Sequence, residues 1–476
     1  MKHAATHAKP ESRQPVNLET PSHLARSSRA ELAAMGEALR DKCPRNSHAE
    51  WKPSRDRPDP LRLIEQSDQG RIPELVPIRH GRMLQSPFIF YRAAALNMAA
   101  DLASTPTTGV RVQACGDAHL VNFRGFATPE RRVQFDIHDL DETLPAPWEW
   151  DVKRLATSFV LTCRDNGLGD VCGADAARTC AQSYREHMIE YGKMPVLDVW
   201  YASLDVEALL STIQDEEGRR RVKKRVAKAR EQSALEHDFP KLAHEVGGSP
   251  MIRDNPPTIY HWRGESGRDE FHDRVREAIA QYRESLRPNA RVLLDRFEFK
   301  DMAIKVVGVG SVGTFCAVVL LMAGDKDPLF LQVKEARASV LEAYAGKSVF
   351  ANHGERCVNG HRLMQSASDI FLGWTAGKLG RHFYVRQLND MKLKPMVEQF
   401  NSTDMIQFGE WCSWTLARAH ARSGEPAVIG GYLGKSDTFD KALAAFSIAY
   451  ADQTERDYEL LKKAAQKGKL EVVMER

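Results

Sequence analysis

Several features that would mark a secreted, membrane-spanning or disulfide-stabilised protein are missing from this sequence. No apolar run approaches the ~20 residues that a transmembrane helix needs. The first residues, MKHAATHAKPESRQ, contain no apolar stretch of the kind that signal peptides carry. None of the eight cysteines forms a CxxC pair, and several lie in apolar segments. We therefore expect a cytoplasmic protein whose thiols are reduced and mostly buried.

The sequence also lacks a strong excess of either charge. The net charge of +3 is nearly neutral for 476 residues, so the overall charge gives no argument for a nucleic-acid or membrane partner. The densest basic run, EEGRRRVKKRVAKARE at 216–231, is best explained as the solvated face of a helix, with a patch for an anionic partner as the alternative. We expect neither a membrane nor a nucleic acid as partner, and nothing in the sequence indicates an oligomeric state.

What the sequence does contain is a concentration of carboxylates between Cys115 and Glu142. Asp117 is followed five residues later by Asn122. The short apolar segment Val133–Ile137, which is predicted to be a strand, then leads into further acidic residues. The acidic residues in and after that segment are Asp136, Asp139, Asp141 and Glu142. Unpaired carboxylates repel one another unless a cation lies among them. The pattern predicts a Mg²⁺-dependent phosphoryl-transfer site.

Each residue type suits a particular role in such a site. Asp117 is the candidate catalytic base or acceptor-orienting residue, and Asn122 is the candidate metal ligand, although the two could instead form a turn and cap a loop. Asp139 is the first choice for the carboxylate that bridges metal and phosphates, and Asp136 is its rival. Asp151, at the head of the next predicted helix, is expected to hold the loop through backbone contacts.

A second group of residues predicts the other half of a nucleotide site. Gly308, Gly310 and Gly313 stand in G-x-G-x-x-G order between two strand-like segments, with Ser311 among them. Such a string is weak evidence alone, and a simple hairpin turn is the alternative. A strand–loop–strand arrangement is nevertheless typical of protein kinases, in which backbone N–H groups cover the phosphates.

Lys334 lies in the third strand-like segment, LFLQVKEA, so that residues 303–335 predict a three-stranded meander. A lysine in an apolar strand is costly to bury without a partner. In kinases its counterpart pairs with phosphate oxygens and with a glutamate on a helix. By spacing, Glu355 is the candidate for that glutamate and Glu342 is the alternative. Lys334 could also be a charge on an edge strand.

The two groups of residues stand in the opposite order from that of a standard kinase, in which the Gly-rich loop and the lysine come first. Here residues 117–141 precede residues 308–313 by about 170 positions. The segment WTLARAHARSG at 414–424 resembles the helix that precedes the catalytic loop in kinases of the aminoglycoside-phosphotransferase type. The order therefore predicts a cyclic permutation with its break between that helix and the catalytic loop, which is plausible where termini lie close together.

The motifs GDAHLVNF, FDIHDLDET and PWEWDVKRLA resemble those of the aminoglycoside and choline kinase-like group. More closely, the chain from about Leu75 to Gly468 resembles a bacterial family known only as a domain of unknown function. This second resemblance is carried by Arg82–Phe88, Gly116–Phe123, His138–Glu142, Lys305–Gly313, Leu331–Ala336, Cys357–Gln365, Arg386–Lys392 and Leu416–Gly424. The chain departs from that family's usual residues at Ala93, Arg124, His138, Phe315 and His361.

Together these observations predict an α+β protein with a two-lobed, circularly permuted, protein-kinase-like fold and a largely helical C-lobe. The expected divisions are a flexible N-terminal arm (1–70), a catalytic-loop part of the C-lobe (71–295), a β-rich nucleotide-binding N-lobe (296–395) and C-terminal helices that complete the C-lobe (396–476).

The expected function is an ATP- and Mg²⁺-dependent phosphotransferase that acts on a small-molecule acceptor. Three alternatives stay open: AMP transfer by a kinase-like fold, a metal-dependent phosphoesterase, and a non-catalytic nucleotide-binding protein. The phosphoesterase is disfavoured because the partner motifs of dinuclear hydrolases are missing and Lys334 would have no role. Arg79, Arg82 and Arg92, around SPFIFY, either bind an anionic acceptor or pair with carboxylates.

Overall fold

The computed structural model of the protein describes residues 15–16, 27–213, 216–231, 239–261, 268–324, 327–377, 380–388 and 393–475. It is 54% helical and 17% strand, which confirms the α+β class. Residues 1–14 and 17–26 of the predicted arm, and residues 389–392 of the Arg386–Lys392 motif, lie outside the described residues. All eight cysteines are free and buried, as predicted. Within the described part, no helix combines the length and apolar character needed to cross a membrane.

The first part of the described chain is helical. After the two-residue strand β1 (Pro15–Val16) it contains α1 (Arg29–Ala38), α2 (Pro60–Asp68), α3 (Val76–Met83), α4 (Pro87–Ala93) and α5 (Ala95–Leu102). Helix α1 begins at a capping box, in which the side chains of Ser28 and Glu31 each accept from the other's backbone N–H. At Gly36, a Cβ would lie 1.9 Å from the carbonyl oxygen of Val428. Residues 27–70 therefore correct the prediction of a flexible arm, because they pack closely on the C-terminal helices.

Two antiparallel strand pairs carry the carboxylate-rich segment. Strand β2 (Arg111–Ala114) pairs with β5 (Leu144–Pro147), and β3 (Phe123–Ala127) pairs with β4 (Val133–Ile137). Helix α6 (Trp148–Asp165) follows directly and is buried along most of its length. Strand β4 and helix α6 agree with the sequence predictions, whereas β3 and β5 were not predicted. Residues 115–122 connect β2 to β3, and residues 138–143 connect β4 to β5. Because β2 pairs with β5 and β3 pairs with β4, the two loops run side by side.

A long connection of helices and short strands follows. It contains α7 (Gly169–Tyr191), α8 (Val196–Tyr201), α9 (Val206–Thr212), α10 (Glu216–Glu231), α11 (Phe239–Leu242), β6 (Ala243–Val246), β7 (Ser249–Ile252), β8 (Ile259–Tyr260), α12 (Arg268–Ser285) and α13 (Pro288–Leu294). Helix α10 carries the basic run, and nearly all of its described lysine and arginine side chains are exposed. This exposure agrees with a solvated helical face.

The next part of the chain contains β9 (Glu298–Lys305), β10 (Cys316–Ala323), β11 (Asp327–Ala336), α14 (Glu342–Ala345), β12 (Lys347–Ser348), α15 (His353–Met364), β13 (Gly373–Ala376) and β14 (His382–Gln387). Five of these strands, together with β8, form a six-stranded sheet. The strand order is β13-β14-β11-β10-β9-β8, and all neighbours are antiparallel. Strands β9 to β11 form the predicted meander. Because side chains alternate along β11, Leu331 and Val333 face α12, whereas Lys334 faces the opposite side.

The chain ends in α16 (Ser402–Ser423), α17 (Pro426–Leu433) and α18 (Thr438–Gln466). These helices pack with α6 and α7 around one large core, in which the rings of Trp148 and Tyr184 stack with centroids 5.5 Å apart. Helix α16 lies along α7, where the hydroxyl of Ser183 donates to the carbonyl oxygen of Glu410 at 2.9 Å.

The end of α16 also contacts the start of β2. The hydroxyl oxygen of Ser423 accepts a hydrogen bond at 3.1 Å from the backbone N–H of Gln113, which is 310 residues away in the chain. At Gly424, a Cβ would lie 2.7 Å from the side chain of Val112. The last helix turn of one segment and the first strand of the carboxylate-rich segment are therefore neighbours in space.

Candidate active site

The centre of the site is Lys334, which is almost completely buried on β11. Its ammonium nitrogen lies 2.8 and 2.9 Å from the two carboxylate oxygens of Asp139 and 2.6 Å from an oxygen of Asp141. Tyr384 stands opposite Lys334 on β14, and its hydroxyl donates to Asp141 at 2.5 Å. One lysine, one tyrosine and two carboxylates therefore join the sheet to loop 138–143.

Neighbouring charges decide the protonation of this group. Burial acts to raise the pKa of Asp139, but the positive charges of Lys334 and Arg386 outweigh it and hold that pKa well below its usual value. Burial and the Asp139 carboxylate raise the pKa of Asp141 more than Lys334 lowers it. Burial disfavours the charged form of Lys334, yet the two carboxylates keep its pKa raised. At neutral pH the lysine and Asp139 are therefore both charged.

Asn122 ties the two loops together. Its side-chain oxygen accepts from the N–H of Asp139 at 2.8 Å, and its side-chain nitrogen donates to the carbonyl oxygens of Asp139 at 2.7 Å and Asp117 at 3.2 Å. In this geometry Asn122 caps the loops, which was the alternative to a metal ligand. An amide oxygen has two lone pairs, so one remains for a cation.

Asp117 is held through one oxygen only. Its Oδ1 accepts from the Nε and Nη2 groups of the buried Arg154 at 2.8 and 2.5 Å. Its Oδ2 lies 3.8 Å from Nε2 of His119, which is too far for a hydrogen bond. Burial lowers the pKa of His119 to about 3, so this ring is neutral. One oxygen of Asp117 is thus fixed and the other is open, which suits a group that orients or deprotonates a hydroxyl.

Asp151 supports the loop through the backbone, as predicted. Its carboxylate accepts from the N–H groups of Cys115 at 2.5 Å and Gly116 at 2.9 Å, and it lies 3.1 Å from Nε2 of His420 on α16. Gly116 has a φ of +80°, and a Cβ there would lie 2.5 Å from the carbonyl oxygen of Glu142. Glycine is therefore required where the two loops cross.

The structure turns Asp136 away from the lysine. Its carboxylate is fully buried and lies 2.5 Å from Nη2 of Arg418 on α16. Its other oxygen accepts from the backbone N–H and the hydroxyl of Ser366, both at 2.8 Å. Because both oxygens are engaged and inaccessible, Asp136 joins β4 to α16. The geometry therefore does not support Asp136 as the rival metal ligand, and Asp139 is the carboxylate that meets Lys334.

The Gly-rich loop joins β9 to β10 and rests on the N-terminal helices. Gly308 and Gly313 have φ values of +68° and +85°, which favour glycine. The carbonyl oxygen of Gly308 accepts from Nη1 of Arg82 at 2.5 Å. At Gly310, a Cβ would lie 3.2 Å from the carbonyl oxygen of Arg92. The loop is therefore fixed at both a side chain of α3 and the backbone of α4.

Ser311 stabilises this loop internally, since its hydroxyl donates to the carbonyl oxygen of Val307 at 2.9 Å. The loop leads into β10, where Cys316 stands directly opposite Lys334. The C-terminal end of the Gly-rich loop and the buried lysine are therefore close neighbours in the sheet.

Glu355 lies in the first turn of α15. Among the described residues Lys334 takes its ion pairs from loop 138–143, so the predicted pair between Lys334 and Glu355 is not the one formed here. Helix α15 instead approaches the loop through Arg356, which donates to the carbonyl oxygen of Asp141 at 2.8 Å, and through the buried His361. Burial lowers the pKa of His361 to about 3, so this neighbour adds no charge.

Three carboxylates of the site remain open to solvent. The side chains of Asp117, Asp139 and Asp141 are 27, 36 and 29% exposed. Lys334 occupies two and Tyr384 one of the about four lone-pair positions on Asp139, which leaves one carboxylate position of the kind that Mg²⁺ prefers. Within the described ranges, no group of three or more His, Cys, Asp or Glu side chains forms a metal site by itself. A Mg²⁺ ion would therefore need phosphate oxygens as further ligands, as is usual in nucleotide sites.

A comparison with known families gives one match. A family model described as an uncharacterized protein conserved in bacteria, DUF2252, matches residues 71–464. The chain belongs to this family. No curated protein and no solved structure matches it. The matched range includes Asp117, Asp139 and Lys334, so the whole candidate site lies within the DUF2252 region.

The site of this DUF2252 protein also contains residues that the sequence did not single out for it, namely Arg154, Tyr384 and Arg386. Arg386 donates to the carbonyl oxygen of His138 at 2.8 Å. The sequence pattern could have indicated two of them, because side chains alternate along the strand HFYVRQ and this places Tyr384 and Arg386 on the same face. Arg154 carries no such signal, since its partner Asp117 is 37 residues away in the chain.

Proposed function

We propose that this protein is an ATP- and Mg²⁺-dependent phosphotransferase with a circularly permuted, protein-kinase-like fold. The observation that carries the proposal is the meeting of Lys334 with Asp139 and Asp141 between the sheet and loop 138–143. In kinases, a lysine on a strand and an aspartate that binds metal meet at the phosphates of the nucleotide. The partial exposure of both carboxylates leaves them accessible to such a ligand.

The order of elements in the sheet supports the kinase-like assignment. The Gly-rich loop, 308–313, connects β9 to β10, Lys334 follows on β11, and α15 comes next before β13 and β14. A Gly-rich loop between two strands, a lysine on the strand after them and then a helix is the succession found in protein kinases. The contact between Cys316 and Lys334 in the sheet register brings loop and lysine to one end of the strands.

The end of α16 supports the permutation. In an unpermuted chain the helix would lead directly into the strand before the catalytic loop. Here Ser423 is hydrogen-bonded to Gln113, and Gly424 lies against Val112. A short link between these neighbours would restore the usual order of a kinase. His420 on the same helix also reaches the carboxylate of Asp151 that holds the loop.

The proposed roles follow from the geometry. The open oxygen of Asp117 would accept the proton of the acceptor hydroxyl, whose oxygen forms a bond to the γ-phosphorus of ATP while the bond to the β–γ bridging oxygen breaks and ADP leaves. Asp139 and Asn122 would hold Mg²⁺, which neutralises charge on the phosphates when bound. Lys334 and the N–H groups of the Gly-rich loop, with Gly308, Gly310, Ser311 and Gly313, would bind the nucleotide.

Nucleotide binding is tested by the melting temperature of the purified protein with and without ATP and Mg²⁺. A ligand present at ~100 times its dissociation constant stabilises the folded state by about 2.7 kcal/mol, so a clear upward shift is expected. Lys334→Ala should reduce the shift that ATP induces, measured relative to the variant's own melting temperature. No shift with saturating ATP or GTP and Mg²⁺ would remove the nucleotide-site proposal.

The transferred group is identified by phosphorus NMR of the same mixture. Phosphoryl transfer, or slow transfer to water, yields ADP, whereas AMP transfer yields pyrophosphate. We expect ADP to accumulate with wild-type protein and not with Asp117→Asn or Asp139→Asn. Pyrophosphate in its place would redirect the proposal to nucleotidyl transfer on the same fold.

A further inference from the structure

The carbonyl groups of the Gly-rich loop are nearly all occupied. Six carbonyl oxygens in this loop accept a hydrogen bond, namely those of Val307, Gly308, Val309, Ser311, Val312 and Gly313. Three of these bonds come from outside the loop, from Nη1 of Arg82, Nη1 of Arg71 and the N–H of Ile72, at 2.5, 2.5 and 2.7 Å. The segment before the catalytic loop therefore holds the carbonyl groups of the Gly-rich loop in place.

The N–H groups of the same loop are not used in this way. Among the described residues, the N–H groups of Val309, Gly310 and Ser311 have no protein acceptor. A peptide unit is planar, with its C=O and N–H on opposite sides, so the bond from Arg82 to the carbonyl of Gly308 turns the next N–H away from that arginine. The loop therefore keeps donors free while its acceptors are tied, as a site for phosphate oxygens requires.

Arg82, one of the three arginines around SPFIFY, uses both edges of its guanidinium. Nη1 donates to Gly308, while Nε and Nη2 donate to the two carboxylate oxygens of Glu475 at 2.5 and 2.8 Å. The hydrogen bond from Arg82 lowers the pKa of Glu475, so this carboxylate is charged at neutral pH. Two parallel bonds fix the plane of a guanidinium. Glu475 therefore sets the direction of the donor that meets the loop.

The segment that carries Glu475 is itself held on α3. The N–H of Val473 donates to the carbonyl oxygen of Pro77 at 2.9 Å. At Gly81, a Cβ would lie 2.0 Å from the carbonyl oxygen of Val473, so a larger residue would push this segment away. The backbone thus brings Glu475 to Arg82, and the two side chains are only 24 and 14% exposed.

We propose that Arg82 and Glu475 are positioning residues of the nucleotide site. Glu475 orients Arg82, and Arg82 holds the carbonyl of Gly308, so that the free N–H groups of the loop are available to the phosphates. Neither side chain needs to touch the nucleotide. This inference rests on the proposed function for the identity of the ligand, whereas the anchoring of the loop can be measured without it.

The anchoring is tested by amide hydrogen exchange of the full chain without nucleotide. Glu475→Gln and Arg82→Gln should each raise exchange in the peptide that covers residues 306–315, because the two hydrogen-bonded N–H groups within the loop lose protection when the loop opens. Glu459→Gln is the matched control, since Glu459 lies on α18 in an exposed ion pair with Lys462, and it should exchange like the wild type. Unchanged exchange in 306–315 for both variants would overturn the proposal.

The affinity for ATP–Mg²⁺, measured calorimetrically, is the second readout. Both variants should bind more weakly, with Arg82→Gln losing about tenfold, because binding must then order a loop that is no longer preorganised. Since Glu475 acts through Arg82, the double variant should bind no worse than Arg82→Gln alone. Losses that add in the double variant would show that Glu475 acts independently, which contradicts the proposal.

Arg82→Lys separates positioning from stability. Lysine keeps a positive charge opposite Glu475, but its single nitrogen cannot serve Glu475 and Gly308 from two edges as a guanidinium does. We expect a melting temperature close to that of the wild type, because a partly exposed ion pair contributes little to stability, and an ATP affinity as low as that of Arg82→Gln. Wild-type affinity in Arg82→Lys would assign this residue to charge pairing alone and would refute its positioning role.

The outcomes separate this proposal from the proposed function. Faster exchange in 306–315 for both variants of a protein that binds no ATP would support the anchoring of the loop and refute the kinase-like function. ATP binding that is equally tight in the wild type, Arg82→Gln and Glu475→Gln would do the reverse.

Discussion

Replacing Lys334 by methionine should destabilise the protein in a way that depends on pH. Methionine keeps most of the side-chain length but removes three short contacts to Asp139 and Asp141, leaving two carboxylates without their cation. Breaking a fully buried ion pair costs about 3–5 kcal/mol. Because the two aspartate side chains are 36 and 29% exposed, solvent screening reduces this, and we expect a loss of about 2–3 kcal/mol at pH 7.

The pH dependence follows from the depressed pKa of Asp139. A carboxyl group whose pKa is lower in the folded state stabilises that state above its unfolded pKa, and this contribution disappears as the pH falls through the folded value. Lys334, whose folded pKa is raised, contributes below its unfolded pKa and ceases to contribute as the pH rises through the folded value. The difference between wild type and Lys334→Met should therefore be largest near neutral pH and shrink on acidification below pH ~4.

The assay is urea unfolding followed by tryptophan fluorescence at several pH values. Lys153→Met is the comparison variant, because Lys153 is equally buried on α6 but has no hydrogen-bond partner for its nitrogen in the described part of the chain and lies 4.9 Å over the ring of Phe446. Burial lowers its pKa to about 8, against the opposing charge of Glu149. Because Lys153 makes no short contact to a carboxylate, this variant should lose less unfolding free energy than Lys334→Met does. Adding Asp141→Asn to Lys334→Met should recover part of the loss, since it removes the repulsion between the carboxylates. Equal losses for the two lysine variants, or a pH-independent loss for Lys334→Met, would refute the reasoning.

Four further substitutions test neighbouring residues. Asp117→Asn should retain the ATP–Mg²⁺ thermal shift but reduce turnover about 10²–10⁴-fold, whereas Asp139→Asn should lose the Mg²⁺-dependent part of the shift, because an amide is a poorer ligand for a hard cation. Asp136→Asn should lower the unfolding free energy by about 3 kcal/mol through its buried contact with Arg418 while keeping the Mg²⁺-dependent shift; loss of that shift alone would return the metal role to Asp136. Gly116→Ala should lower the unfolding free energy in urea by more than about 2 kcal/mol, because it combines a positive φ with a clash, and an unchanged midpoint would contradict this.

Local patterns in the sequence were sufficient to predict several of the strands and helices around the site. The segments Val133–Ile137 and 303–335 were predicted as strands because alternation and turn residues act over a few positions. The backbone role of Asp151 was expected as well, but the N–H groups that it accepts from, those of Cys115 and Gly116, lie 36 and 35 residues away, so local pattern indicated the role and not the partners.

The partners of charged residues could not be predicted in this way, because they come from distant parts of the chain. Asp136 and Asp139 are three residues apart, yet one meets Arg418 and the other Lys334. Spacing favoured Glu355 as the partner of Lys334. In the structure, Lys334 pairs instead with Asp139 and Asp141 of loop 138–143. Composition likewise suggested a flexible arm at 1–70, whereas residues 27–70 pack on the C-terminal helices, because the close approach of Gly36 to α17 cannot be seen without the distant helix.

The packing of α16 against α7 has a consequence for how the protein is made. Helix α7 ends at Tyr191 and α16 begins at Ser402, so about 210 residues must be translated between them, which takes roughly 10–40 s at ~5–20 residues per second. During that interval the nascent chain carries the α7 face around Ser183 and Tyr184 without the helix that will cover it. The helical core can close only after the whole sheet has left the ribosome. We therefore expect synthesis of this protein to depend on chaperones that shield α7 until α16 emerges, and nascent chains stopped before residue 402 to aggregate.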